Sequence, residues 1–155
     1  MQPNKIDILD VATYLVKHQN KDDFTRMKIQ KLVFLTYCKY LLKYNIPMFE
    51  NDFEAWEEGP ISLPLYLEQI KYPTKFDKTI TFSQKYDENK FTKEHIQIMN
   101  RILKKHGSKP LRRIYDFIHK ENGPWRISYK KKDVSQNSIL DSTLKQCYLS
   151  KKHII

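Results

Sequence analysis

From Arg26 to Tyr44 the chain is apolar on nearly every side of a helix. Ile29, Leu32, Val33, Tyr37, Tyr40, Leu41 and Tyr44 follow the helical period. Phe34, Leu35, Cys38 and Leu42 occupy the other side, leaving a narrow polar stripe of Lys28, Lys31, Lys39 and Lys43. Such a helix is stable only where neighbours surround it. The sequence therefore predicts a mainly α fold of about six helices around a central buried helix at 26–44. Thr25 reads as its N-cap, with Phe24 and Ile29 placed as a hydrophobic staple.

The neighbours are legible in turn. A first helix covers Ile6 to Val16, and Ser62 caps a short one through Leu65 and Ile70. Thr92 caps the next, whose stripe is Ile96, Met99 and Leu103, with His106-Gly107-Ser108 as its stop and Gly107 suited to a left-handed position. Pro110 starts a helix carrying Ile114 and Ile118, and Ser138 and Asp141 open the last, through Leu144 and Tyr148. Met48 to Trp56 reads as partly extended, and the alternation Thr79-Ile80-Thr81-Phe82-Ser83 suggests a short β-hairpin near 76–86. The 155 residues suit one domain, taken as 1–155. Neither a secretory leader nor a membrane span is visible, and Cys38 and Cys147 share no metal or redox spacing, so a cytoplasmic protein with free thiols is expected.

Glycine is scarce, and its placement is informative. Two of the three glycines precede a proline beside one of the two tryptophans, in Trp56-Glu57-Glu58-Gly59-Pro60 and Gly123-Pro124-Trp125. Proline drives the preceding residue out of the α region, so each pair marks a corner against which an indole can pack.

The net charge of +10 is uneven: residues 1–58 carry −1 and residues 101–155 carry +10. The excess lies in Lys104-Lys105, Arg112-Arg113, Lys130-Lys131-Lys132 and Lys151-Lys152. Such a field suits an acidic partner or a nucleic-acid backbone, and equally a solvated helix face. Lys104 to Arg113 spans a helix, a glycine turn and a helix, so DNA contact through a helix-turn-helix stays open, though less favoured.

Chemistry is thin. The chain has no glycine-rich phosphate loop, and His95 and His106 are too far apart for a helical metal pair. No cofactor and no metal site are expected. Glu57 and Glu58 read as a solvated acidic turn, with an acid/base pair as the rival. His119 is the best candidate for a special histidine; its position at a helix C-terminus favours the protonated ring, while packing under Trp125 is the commoner role.

Taken in order, several blocks form one pattern: Met27-Lys28-Ile29-Gln30-Lys31-Leu32-Val33-Phe34, then Phe53-Glu54-Ala55-Trp56-Glu57-Glu58-Gly59-Pro60-Ile61 with Pro64-Leu65-Tyr66, then His119-Lys120-Glu121-Asn122-Gly123-Pro124-Trp125. The pattern resembles the Panacea, or SocA-like, antitoxin domain, also met in proteins labelled phage-associated, over about residues 5–149. Lys28, Gln30, Lys31, Trp56, Gly59, Pro60, Tyr66, His119, Pro124 and Trp125 carry the resemblance. His106 stands where that family has tyrosine before a glycine, and Ile118 where it has threonine before the histidine.

The resemblance implies a non-enzymatic antitoxin that neutralises a co-encoded toxin by direct protein contact, with delivery to a ClpXP-type protease described for the SocA-like branch. The partners implied are a cognate toxin and such a protease, with no membrane. The rival function is a nucleic-acid-binding regulator using 101–155. The two Gly-Pro corners are expected to shape and close the domain, with Trp56 and Trp125 as core pegs rather than interface anchors. The toxin-facing surface is expected elsewhere, the basic last third being its candidate.

Overall fold

The computed structural model describes residues 5–20, 23–71, 86–120, 122–129, 137–150 and 155. Within them lie seven α-helices: α1 (Ile8–Lys17), α2 (Arg26–Tyr44), α3 (Leu63–Gln69), α4 (Lys93–His106), α5 (Leu111–Ile118), α6 (Pro124–Ser128) and α7 (Asp141–Tyr148). Two short strands, β1 (Phe53–Trp56) and β2 (Gly59–Ser62), and a 3-10 turn at Glu88–Lys90 complete the set. The fold is mainly α, as expected. All but the last residue of the hairpin expected near 76–86, and the lysines at 130–132, lie outside the described residues.

α2 is the centre, touching α1, α3, α4, α5, α7 and β2. Its apolar positions on both sides are buried, from Ile29 to Leu42. Thr25 accepts the Lys28 amide at 3.2 Å, Thr92 the His95 amide at 3.2 Å and Ser62 the Leu65 amide at 3.4 Å, so all three anticipated caps form. Capping meets donors that the first helical turn cannot satisfy internally.

Three expectations change. Lys28 and Lys31 are not part of a solvated stripe: each is 1% exposed, because neighbouring segments close over α2 there. Gly107 adopts ordinary right-handed angles, φ −60° and ψ −31°. Glycine is needed there for space, since a Cβ would sit 2.7 Å from the Asn20 side chain, which itself donates to the Leu103 carbonyl at 3.2 Å. Ser138 does not open α7. It bridges Glu54, with Ala55 N–H donating to the Asn137 carbonyl at 2.7 Å and Ile139 N–H to the Phe53 carbonyl at 2.9 Å.

A hairpin forms at the first Gly-Pro block. Trp56 pairs with Gly59 and Ala55 with Pro60, leaving Glu57 and Glu58 as a two-residue turn. Pro60 has no N–H to give, and the Ala55 N–H is directed to Asn137 instead, so the proline breaks no ladder bond. Gly59 holds φ +116°, a conformation that side chains rarely adopt. The second Gly-Pro block begins a helix rather than only ending one: Pro124 occupies the first turn of α6, where its missing N–H costs nothing.

Candidate functional site

Gln30 and Lys31 are consecutive on α2, and both reach the hairpin. The Gln30 carbonyl oxygen accepts the Ser62 N–H at 2.9 Å, and its amide donates to the Ser62 carbonyl at 3.2 Å and to Gln69 at 3.2 Å. Gln69 in turn donates to the Arg26 carbonyl at 3.1 Å. Gln30 therefore stitches β2 and α3 to the central helix, and it is wholly buried.

Lys31 lies under the turn. A Cβ on Gly59 would stand 2.8 Å from Lys31 Cε, 3.0 Å from Lys31 Nζ and 3.0 Å from His119 Cε1. Glycine is thus required twice, by its dihedral and by the two side chains packed against its α-carbon. Lys31 Nζ is buried and has no hydrogen-bond partner. Burial pushes its pKa down to about 8, with Glu58 pulling the other way.

His119 comes from the C-terminal end of α5. Its ring stacks on Tyr115 with centroids 3.6 Å apart and meets Trp125 at 4.0 Å. Nδ1 lies 2.8 Å from the Tyr115 carbonyl. A carbonyl only accepts, so Nδ1 carries the proton and Nε2 is left bare. Nε2 is buried and makes no hydrogen bond of ordinary geometry, although the Glu57 carbonyl is near enough to favour the protonated ring. Burial nevertheless dominates and lowers the pKa, helped by the Lys31 and Arg126 charges. The helix end favours the protonated ring and desolvation opposes it more strongly, while the packing against Trp125 expected as the commoner role is seen.

Trp125 locks the two Gly-Pro blocks together. Its indole N–H donates to the Trp56 carbonyl at 2.6 Å, and the ring is buried, stacked on Tyr129 at 4.9 Å. Trp56 is half-buried, with its own indole N–H on Glu54 at 3.0 Å and its ring edge against Tyr66 at 5.3 Å. Pro60 is buried in β2, and Pro124 is buried at the start of α6. Lys28 stands apart: its ammonium pairs with Asp23 at 3.0 Å and sits over the Phe24 ring at 4.7 Å.

Between α2, the hairpin turn and α5 opens a cleft of about 530 Å³, lined by Met27, Lys31, Glu57, Glu58, Leu111 and Tyr115. Glu57 and Glu58 are exposed at its rim. The sequence did not pick out Met27, Leu111 or Tyr115 as site residues. The i, i+4 spacing of Tyr115 and His119 was the available signal, since it places the two rings on one helix face.

The basic residues within the described segments do not line this cleft. Lys104, Lys105, Arg112 and Arg113 are exposed on α4 and α5. Arg112 pairs with Asp116 at 3.1 Å, and Lys105 donates to the Ile155 carbonyl at 3.3 Å. His106 is buried, and its pKa falls to about 4 through burial and the nearby Lys109, Lys105 and Lys39. His95 instead accepts the Thr92 amide at 3.1 Å in a capping box. Cys38 is buried, which pushes its thiol pKa well up, away from reactivity. Among the described residues no group of three or more His, Cys, Asp or Glu could hold a metal, and no helix is long and apolar enough to cross a membrane.

The residues that meet around Gly59 lie within a segment that matches a known family. A family model described as antitoxin SocA-like, Panacea domain, matches residues 29–126, a span from Ile29 on α2 through the hairpin to Arg126 on α6. No curated protein and no solved structure matches the chain. The matched span covers well over half of the sequence, and the chain belongs to the SocA-like antitoxin family, as a Panacea-domain protein.

Proposed function

We propose that the chain, as one domain over 1–155, is the antitoxin of a toxin–antitoxin pair and neutralises a co-encoded toxin by direct protein contact. The observation that carries this reading is the antitoxin-family match over the segment that builds the hairpin, the cleft and the Trp125 lock. The cleft adds a concave feature beside an exposed acidic turn. A second surface is the apolar stripe of α3, where Leu63, Leu67 and Ile70 are 40%, 50% and 50% exposed. Contact neutralisation needs about 800 Å² per partner, with anchors seated in pockets. No chemistry on the toxin is required of the antitoxin, so the protein acts without catalysis, by covering the toxin or by delivering it to a ClpXP-type protease.

The test is co-expression with the neighbouring reading frame. The reading expects growth that the toxin alone arrests to be restored, with the two proteins co-purifying. Failure to rescue with either adjacent gene overturns it. The rival, a nucleic-acid-binding regulator, rests on the exposed Lys104, Lys105, Arg112 and Arg113. It requires DNA affinity that falls steeply with salt; a flat response removes it.

A further inference from the structure

The chain's charge is inverted in one place. From Tyr44 to Ile70 it carries six carboxylates and no lysine, arginine or histidine, although the whole chain has a net charge of +10. Glu54 and Trp56 alternate along β1 with the buried Phe53 and Ala55, so both point away from the core. The Trp56 ring meets Tyr66 at 5.3 Å. Tyr66 in turn shares one side of α3 with Leu63, Leu67 and Ile70, by helical spacing, while Leu65 and Gln69 on the opposite side are buried. Leu63, Leu67 and Ile70 are exposed, and contiguous exposed apolar surface of this kind marks a contact face.

We propose that this face docks a basic amphipathic segment of a partner protein, with the segment's apolar side chains on the α3 stripe and its lysines or arginines along β1. The apolar and the acidic surface are joined at Trp56, whose indole N–H donates to Glu54 at 3.0 Å. Glu54 also lines a cleft of about 410 Å³ with Asp52 and Asp141, and no cation lines it. Among the described residues none of these three carboxylates is in an ion pair. Burial raises the Asp52 carboxyl pKa, and the Glu50 and Glu54 charges raise it further, so negative charge is crowded here rather than met. Lys71, just past the stripe, is already paired with Glu68 at 2.8 Å.

Charge selects among the occupants. A nucleic-acid backbone or an anionic lipid surface would bring like charge to these carboxylates. A second copy docked face to face would oppose the same carboxylates to one another, at a net charge of +10 on each copy. A basic segment gains twice, by removing apolar area from water and by setting cations beside Asp52, Glu54 and the Trp56 ring. Fields fade within about 8 Å at physiological salt, so carboxylates in contact count for more than the chain's net charge. The inference deepens the antitoxin reading, on which it rests only for who the partner is, by giving that partner's contact segment a charge.

The test uses the full chain and two short capped helical peptides of the same amphipathic pattern, one built from leucine and lysine and one from leucine and glutamate. Binding is read from the Trp56 indole N–H and the methyl resonances of Leu67 and Ile70, with Ile127, exposed on α6, as the reference. The expected result is saturable shifts at the first three with the lysine peptide, an unmoved Ile127, and affinity at least ~10-fold weaker for the glutamate peptide. Leu67→Asp should abolish binding of the lysine peptide. Asp52→Asn combined with Glu54→Gln should narrow the preference to below ~3-fold, and Arg112→Gln should leave it unchanged. No binding of the lysine peptide, equal affinity for the two peptides, shifts at Ile127 without Leu67 and Ile70, or binding that survives Leu67→Asp would each overturn the proposal. So would a dimer of the free protein that Leu67→Asp dissolves, which gives the face to a second copy. Growth rescue by co-expression reports on the antitoxin reading alone, so either can fail without the other.

Discussion

The two ends of the hairpin differ in how completely their polar groups are used. At the end near Phe53 and Ser62, Gln30 holds both backbone groups of Ser62, and further along β1 Asn137 exchanges hydrogen bonds with Ala55. Asn51 and the Tyr37 hydroxyl converge on Asp141 at 2.8 and 2.7 Å. At the turn end, Lys31 and His119 each keep a buried nitrogen with no hydrogen bond of ordinary geometry among the described residues, and a cleft opens beside them. Satisfied networks rigidify a fold, and unsatisfied ones are tolerated where something else is gained. The lesson is that two neighbours in one motif meet opposite environments: Gln30 is fully hydrogen-bonded, while Lys31 is buried with no hydrogen-bond partner among the described residues.

The largest effect that would sharpen this contrast is at Gln30. Gln30→Leu strands the Ser62 N–H and carbonyl in the core, and a loss of about 3–4 kcal/mol is expected in urea unfolding. A loss below about 1 kcal/mol would break the account of the satisfied end. Lys31→Met should act in the opposite sense. The folded pKa of about 8 lies below the ordinary 10.5, so the unfolded chain holds more protons between those values. Stability should therefore rise as pH climbs from about 8 to about 10.5, with the full penalty, about 3 kcal/mol, present below 8. The methionine variant should lose that slope and be the more stable protein at pH 7.

Smaller effects follow. Gly59→Ala forces a strained dihedral and crowds Lys31 and His119, for an expected loss of about 2 kcal/mol by thermal unfolding. Tyr37→Phe keeps the ring and removes only its hydroxyl bond to Asp141, so about 1 kcal/mol is expected. A Tyr37→Phe loss larger than that of Gln30→Leu would invert the ranking within the satisfied end.

Much of the scaffold was written locally. The α2 periodicity, the Thr25, Thr92 and Ser62 caps and the stops around the Gly-Pro pairs all depend on residues a few positions apart. The β-hairpin was less legible, because four-residue strands offer too little alternation and the register rests on Gly59. Least legible was the burial of Lys31. Its helical position marks it as solvated, and only the arrival of the turn from residues 57–59 and of His119 covers it.

The free amine of Lys31 is the point on which these claims converge. A pH titration of its Cε resonance in the free full-length protein tests it most directly. The account predicts a midpoint about 8, well below an ordinary lysine. A midpoint at or above 10.5 would contradict it, showing that Lys31 is already paired or solvated and that the turn end holds no unmet charge.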